Sequence, residues 1–158
     1  MTRPGIALAI LLELVVAPPP TARAAQPALE KEAVLIPFDL VNPGEFGPST
    51  TIAKLLKRDD VNGVAIAFVA SMPQMLGKQL TDIEALSETY RKRGVVIIAS
   101  VESSVGSKAI KGVIDGGKLR TPISLTAKQW VPFQKIAKQT EQNRWPWTFY
   151  LDKQGHFV

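Results

Sequence analysis

Two uninterrupted apolar runs, Val64–Ala70 and Val95–Val101, flank a segment whose apolar positions recur at helical spacing. From Leu76 these positions fall at Leu80, Ile83, Leu86 and Tyr90, steps of three and four that mark one face of a helix. Gly94 follows Arg93 as the stop residue. An apolar run without polar alternation suits a strand covered on both faces. Strand, helix and strand in so short a stretch predict a βαβ unit, with parallel strands joined by a right-handed crossover.

Ahead of this unit, Ala33–Leu40 reads as extended, with Pro37 preventing a regular central strand. Val41–Pro48 is a loop rich in Pro and Gly. Ser49 or Thr50 is placed to cap a short helix through Arg58 that buries Ile52, Leu55 and Leu56. Asp59–Gly63 is a turn. Beyond the unit, Glu102–Ser107 is a polar loop at the carboxyl end of the second strand. Val105, Ala109, Ile110, Val113 and Ile114 form a second helical face, which Asp115-Gly116-Gly117 ends. Thr121–Leu125 is a short extended piece, and Thr126 caps a helix reaching about Glu141, with Pro132 in or near its first turn. Trp147–Leu151 predicts a strand, Asp152–Gly155 a hairpin turn, and His156–Val158 the start of a return strand.

The amino end reads as a targeting segment rather than as fold. Arg3 precedes an apolar stretch, Gly5–Ala17, interrupted only by Glu13. That stretch is shorter than the roughly 20 residues of a spanning helix. Pro18, Pro19 and Pro20 close it, and Ala22-Arg23-Ala24 has the small-x-small pattern of a cleavage site. An uncleaved anchor or a buried amino-terminal helix ranks second. The expected organisation is therefore a signal peptide over residues 1–24 and one domain over 25–158. Cleavage near Ala24 places that domain in the periplasm or outside the cell, with no stable membrane span remaining.

Lys and Arg outnumber Asp and Glu by 19 to 14, a net charge of +5. The densest cluster, Arg91-Lys92-Arg93, ends the predicted helix, where positive charge offsets the carbonyl end of the helix dipole. No basic stripe interleaved with aromatics occurs, and an exported protein seldom meets nucleic acid, so no nucleic-acid partner is expected. The chain has no cysteine and one histidine. These counts exclude disulfides, thiolate nucleophiles, iron–sulfur clusters, thiolate-bound zinc and a histidine-rich metal site. The carboxylates form no pair: Asp82 and Glu84 do not face each other on a helix. Glu102 is the one suggestive acid, and Ser103-Ser104 beside it lacks a nearby histidine.

The element order and several words resemble the thioredoxin fold, in its periplasmic redoxin or TlpA-type thiol–disulfide oxidoreductase branch. Phe68-Val69-Ala70-Ser71-Met72-Pro73-Gln74-Met75-Leu76 stands where that family has Phe-Trp-Ala-Ser-Trp-Cys-Pro-Pro-Cys. Leu80-Thr81-Asp82-Ile83-Glu84-Ala85-Leu86 and Tyr90-Arg91-Lys92-Arg93-Gly94-Val95-Val96 are similar to the helix and strand that follow there. Pro146-Trp147-Thr148-Phe149-Tyr150-Leu151-Asp152-Lys153-Gln154-Gly155 resembles its Pro-Thr-Thr-Phe-Leu-Ile-Asp-Lys-x-Gly segment. The resemblance spans roughly residues 37–158. It implies an α/β three-layer sandwich: a mixed central sheet with a parallel βαβ unit, a carboxyl-terminal β-hairpin and a cis bond at Trp145-Pro146. The family's final helix has no counterpart after Val158. A missing helix would leave an apolar sheet face open to self-association.

The family's chemistry needs a thiolate to attack a disulfide and a second thiol to resolve it. An ungapped match puts those two positions on Pro73 and Leu76, and a one-residue gap puts them on Met72 and Met75; neither leaves a thiol. No catalytic residue and no cofactor are therefore expected. What the resemblance leaves is binding of an extended peptide or an envelope protein, in a groove lined by Met72, Pro73, Met75, Trp145 and Pro146. Trp145 divides evenly between groove rim and core, whereas Trp147 reads as core. Residual oxidoreductase activity by descent is the alternative. Less favoured is Cu(I) held by Met72 and Met75, because His156 belongs beyond the hairpin turn, at the far end of the sheet.

Overall fold

The apolar run before the long helix becomes β3 (Gly63–Val69), and all seven of its residues are buried. It lies inside a six-stranded sheet in the computed structural model, which describes residues 35, 37–69, 73–102, 105–126, 133–134 and 147–158. The expected signal segment lies outside these residues, as does nearly all of the helix expected after Thr126. The other strands are β1 (Phe38–Asn42), β2 (Ser49–Thr50), β4 (Val95–Glu102), β5 (Ile123–Thr126) and β6 (Trp147–Asp152). The helices are α1 (Ile52–Leu56), α2 (Pro73–Arg91) and α3 (Ser107–Gly117).

The strand order is β2-β1-β5-β4-β3-β6. β3 and β4 run parallel in register from Gly63↔Val95 to Val69↔Val101, as the βαβ pattern predicts. β5 adds to β4 in parallel, so β4-α3-β5 is a second crossover unit. β6 is antiparallel to β3 and β1 antiparallel to β5. After β6 the chain turns at Gly155 (φ 82°), and Leu151 pairs with Phe157. The Asp152 amide donates to the His156 carbonyl at 2.9 Å, which closes the expected hairpin.

Alternation along β3 divides the core. Ala65, Ala67 and Val69 face α2 and α3, packing with Leu76, Leu80, Ile83, Leu86, Tyr90 and Ile110. Val64, Ile66 and Phe68 face the opposite side, with Ile52 and Leu55 of α1. There Phe133 and Phe149 join Phe68 with ring centroids 5.1–5.8 Å apart, and Phe157 lies 6.0 Å from Phe149. Tilted and edge-on pairs at such distances suit the ring quadrupoles. Of the described aromatic side chains in the carboxyl-terminal third, Phe133, Phe149 and Phe157 are thus core. Among the described residues, Leu35 and Met75 are the large apolar side chains left exposed. Of the described apolar residues of β6 and its return strand, Phe149, Leu151 and Phe157 pack inward.

Two local expectations give way to longer-range forces. Ser49 and Thr50 do not cap α1; they pair with Asp39 and Phe38 as β2. Thr51 is the cap, and its side chain accepts from the Lys54 amide at 3.1 Å. Leu56, expected in the core, is only half-buried. The Asp115-Gly116-Gly117 segment ends α3 as expected: Gly117 is its last residue, and the left-handed residue that follows is Lys118 (φ 50°, ψ 40°). At the end of α2, Gly94 behaves as expected, with φ 75°. A Cβ there would sit 2.9 Å from the Asp60 carbonyl oxygen, so that approach also demands glycine.

Candidate functional site

The parallel pairing brings the carboxyl ends of β3 and β4 side by side at Val69↔Val101. β6 starts beside them, where Trp147 pairs with Phe68, and α2 starts at Pro73 just beyond β3. One edge of the sheet therefore gathers the segments that carry the expected site. Ligands of open α/β sheets commonly bind at this carboxyl edge.

Pro73 occupies the first position of α2, where its fixed φ fits and its missing N–H costs no hydrogen bond. Met75 is 47% exposed, whereas Leu76 beside it is buried in the core. One of the two ungapped cysteine positions has thus become a packing residue. Met72, Trp145 and Pro146 lie outside the described residues, as does the expected cis bond. The β6 backbone places Trp147 next to Phe68, and its side chain lies outside the described set. Glu102 ends β4 at the same edge and is exposed.

The first turn of α2 contains no acidic residue of its own to offset the positive end of its dipole. In a thiol enzyme that field would favour a thiolate. This chain has no cysteine for it to act on.

His156 is at the other end of the sheet. Its Nδ1 lies 3.7 Å from an Asp152 carboxylate oxygen, and Asp152 pairs with Gly63 at the start of β3. The seven residues of β3 separate His156 from the methionine edge by roughly 20 Å at about 3.3 Å per residue. An imidazole therefore cannot complete a Cu(I) site with Met75. Among the described residues, no group of three or more His, Asp or Glu could hold a metal ion.

The groups with displaced pKa values also lie away from that edge. The Arg58 hydrogen bond holds the Asp60 carboxyl below its ordinary value, in the turn before β3. Burial, and secondarily the Asp152 charge, push the Tyr150 hydroxyl up.

Asp82 and Glu84 face different ways, as their spacing implies. Asp82 pairs with Lys78 at 2.7 Å. One Glu84 oxygen, Oε2, accepts from the Arg120 amide at 2.9 Å, the Thr121 amide at 2.7 Å and the Thr121 hydroxyl at 2.6 Å. Sequence reading missed this role, because nothing local marks a carboxylate that meets a turn 36 residues later.

No family model matches the chain, and no curated protein matches it. Solved structures do. A thiol:disulfide interchange protein of the thioredoxin family from Chlorobium tepidum superposes with a TM-score of 0.59 at 13% identity, over 88% of this chain and 86% of that one. The fold is thioredoxin-like. The thioredoxin domain of a thiol-disulfide oxidoreductase from Bacteroides vulgatus gives 0.56 at 13% identity, covering 87% of each chain. A secreted disulfide oxidoreductase from Mycobacterium tuberculosis gives 0.54 at 9% identity, over 82% and 84%. Likeness at these identities concerns architecture. This thioredoxin-like chain has a parallel βαβ unit, the sheet order β2-β1-β5-β4-β3-β6 and a closing hairpin, and its sequence contains no cysteine.

Proposed function

We propose that this is an exported thioredoxin-like protein that binds an extended peptide or an envelope protein and performs no dithiol–disulfide exchange. The observation that carries the reading is a thioredoxin-like fold in a chain without cysteine. Exchange requires two thiols, so the fold's remaining use at this edge is recognition. Met72, Pro73, Met75, Trp145 and Pro146 are the proposed surface. The exposed Met75 supports it, because a flexible, polarisable thioether adapts to varied apolar partners. An extended peptide needs only backbone pairing and shallow side-chain pockets, neither of which requires a thiol. Export rests on the order of charged, apolar and small-x-small segments in residues 1–24. Among the described residues no helix is long and apolar enough to cross a membrane.

The experiment has two arms. Purified protein is expected to leave insulin disulfides intact at the buffer rate. Against an immobilised library of extended peptides it should select a subset, and both Trp145→Ala and Met75→Ala should weaken that selection without lowering Tm by more than a few degrees. Disulfide turnover above buffer would overturn the reading, as would selection unchanged in both variants. Mass spectrometry of envelope material should find a new amino terminus near Ala25; intact Met1 in the cytosol would remove the export claim.

A further inference from the structure

We propose a second binding site, for a small oxyanion, in the cleft beside the carboxyl-terminal half of α2. The cleft has a volume of about 380 Å³ and is lined by Glu84, Ser87, Glu88, Arg91, Lys92 and Arg120. That volume falls in the range of small-molecule sites. It is separate from the Met75 edge: Met75 is in the first turn of α2, and Arg91 is the last residue of the helix.

Three cations converge on this cleft. Arg91, Lys92 and Arg120 are exposed, and among the described residues their side chains form no ion pair or hydrogen bond. Of the two lining carboxylates, Glu84 already accepts three hydrogen bonds through Oε2. Three cations against the two carboxylates Glu84 and Glu88 leave the lining with a small positive surplus, reduced but not cancelled by the carbonyl end of the helix.

The platform is also tied down on two sides. Glu84 holds the Arg120 and Thr121 amides from one side. From β1, the Asn42 side-chain amide donates to the Leu119 and Thr121 carbonyls at 3.0 and 2.8 Å. Arg120 thus projects from a backbone held by hydrogen bonds from both α2 and β1. Two guanidinium forks match the planar or tetrahedral oxygens of carboxylate and phosphate. Ser87, only 4% exposed, adds a hydroxyl donor in the wall.

The test is an amide chemical-shift titration with inorganic phosphate and, separately, succinate, each against sodium chloride at matched ionic strength. At least one of the two is expected to give saturable shifts centred on Ser87–Lys92 and Arg120. Which one saturates distinguishes a phosphate ligand from a carboxylate ligand. Arg91→Gln and Arg120→Gln should each weaken binding about tenfold, the scale of a lost charge-assisted pair, while Lys57→Gln leaves it unchanged. The proposal fails if neither anion saturates, if chloride reproduces the shifts, or if both arginine variants bind as the wild type does. None of these outcomes bears on peptide binding at the Met75 edge.

Discussion

Replacing Glu84 with alanine withdraws one oxygen from three donors, and the cost follows from where those donors lie. The Arg120 amide is on an exposed residue and regains water. Thr121 is buried to 2%, so its amide and hydroxyl lose the acceptor without ready access to solvent. A buried donor left unsatisfied costs about 1–3 kcal/mol. Two such donors, with some water entering beside a half-buried side chain, give roughly 2–4 kcal/mol for Glu84→Ala. Glu84→Gln keeps a carbonyl acceptor and loses the charge assistance, which sets its cost near 1 kcal/mol. Against a domain stability of about 5–15 kcal/mol, the alanine change is large. Urea unfolding with an unchanged m-value measures both. A Glu84/Thr121→Val double-mutant cycle should return a coupling above about 0.5 kcal/mol, since the two groups are in contact. Glu84→Ala within 0.5 kcal/mol of wild type, or a glutamine variant as costly as the alanine one, would refute the reasoning; about 0.5 kcal/mol is the scale of an ordinary surface change.

Lys118→Gly should raise stability by about 0.5–1 kcal/mol, because the native φ of 50° penalises a side chain more than glycine's extra chain entropy costs. The urea midpoint reports it, and a fall would show that the lysine stem packs favourably there. For Asp60, the depressed folded pKa means that its contribution is present above the ordinary aspartate value and is lost as pH falls through the lower folded value. NMR titration of its carboxyl should show a midpoint below the ordinary value, moving back toward it in Arg58→Gln. Since this pair is exposed, the accompanying change in acid stability is expected to be small.

The parts of the fold legible in the sequence are those whose physics is local. The runs of β3 and β4 and the helical spacing from Leu76 to Tyr90 each state a periodicity that burial then enforces. Gly94 stops α2 because the turn needs both a positive φ and a close approach to Asp60 and Asn62. Legibility ends where several residues offer the same chemistry. Ser49, Thr50 and Thr51 are all competent caps, and pairing of Ser49 and Thr50 with β1 assigns the role to Thr51. The Gly116-Gly117 pair reads as a stop and α3 does end at Gly117, but the left-handed turn falls one residue later, on Lys118, where the Leu119 amide closes on the Ile114 carbonyl. At the candidate site, chain order placed Pro73 and Met75 at the carboxyl edge of β3, and the total lack of thiols removed the chemistry. The hold of Glu84 on Thr121 was invisible, since residues 37 apart in sequence carry no shared pattern.

The attachment of β1 also has a consequence in time. Its last residue, Asn42, donates to carbonyls 77 and 79 residues further along, and β5, its larger strand partner, is made from the same late region. At a synthesis rate of about 5–20 residues per second, β1 therefore waits roughly 4–16 s on the ribosome or in a translocation channel before its docking strand exists. During that interval β1 and β2 can pair only with each other, and two strands alone are marginal in water. The β3-α2-β4 unit has no such wait, because its contacts close within its own length. The newborn chain thus carries an early-formed centre and a late-arriving flank. A chaperone that guards this protein would have most to do at residues 38–50, in the seconds before Ile123 appears.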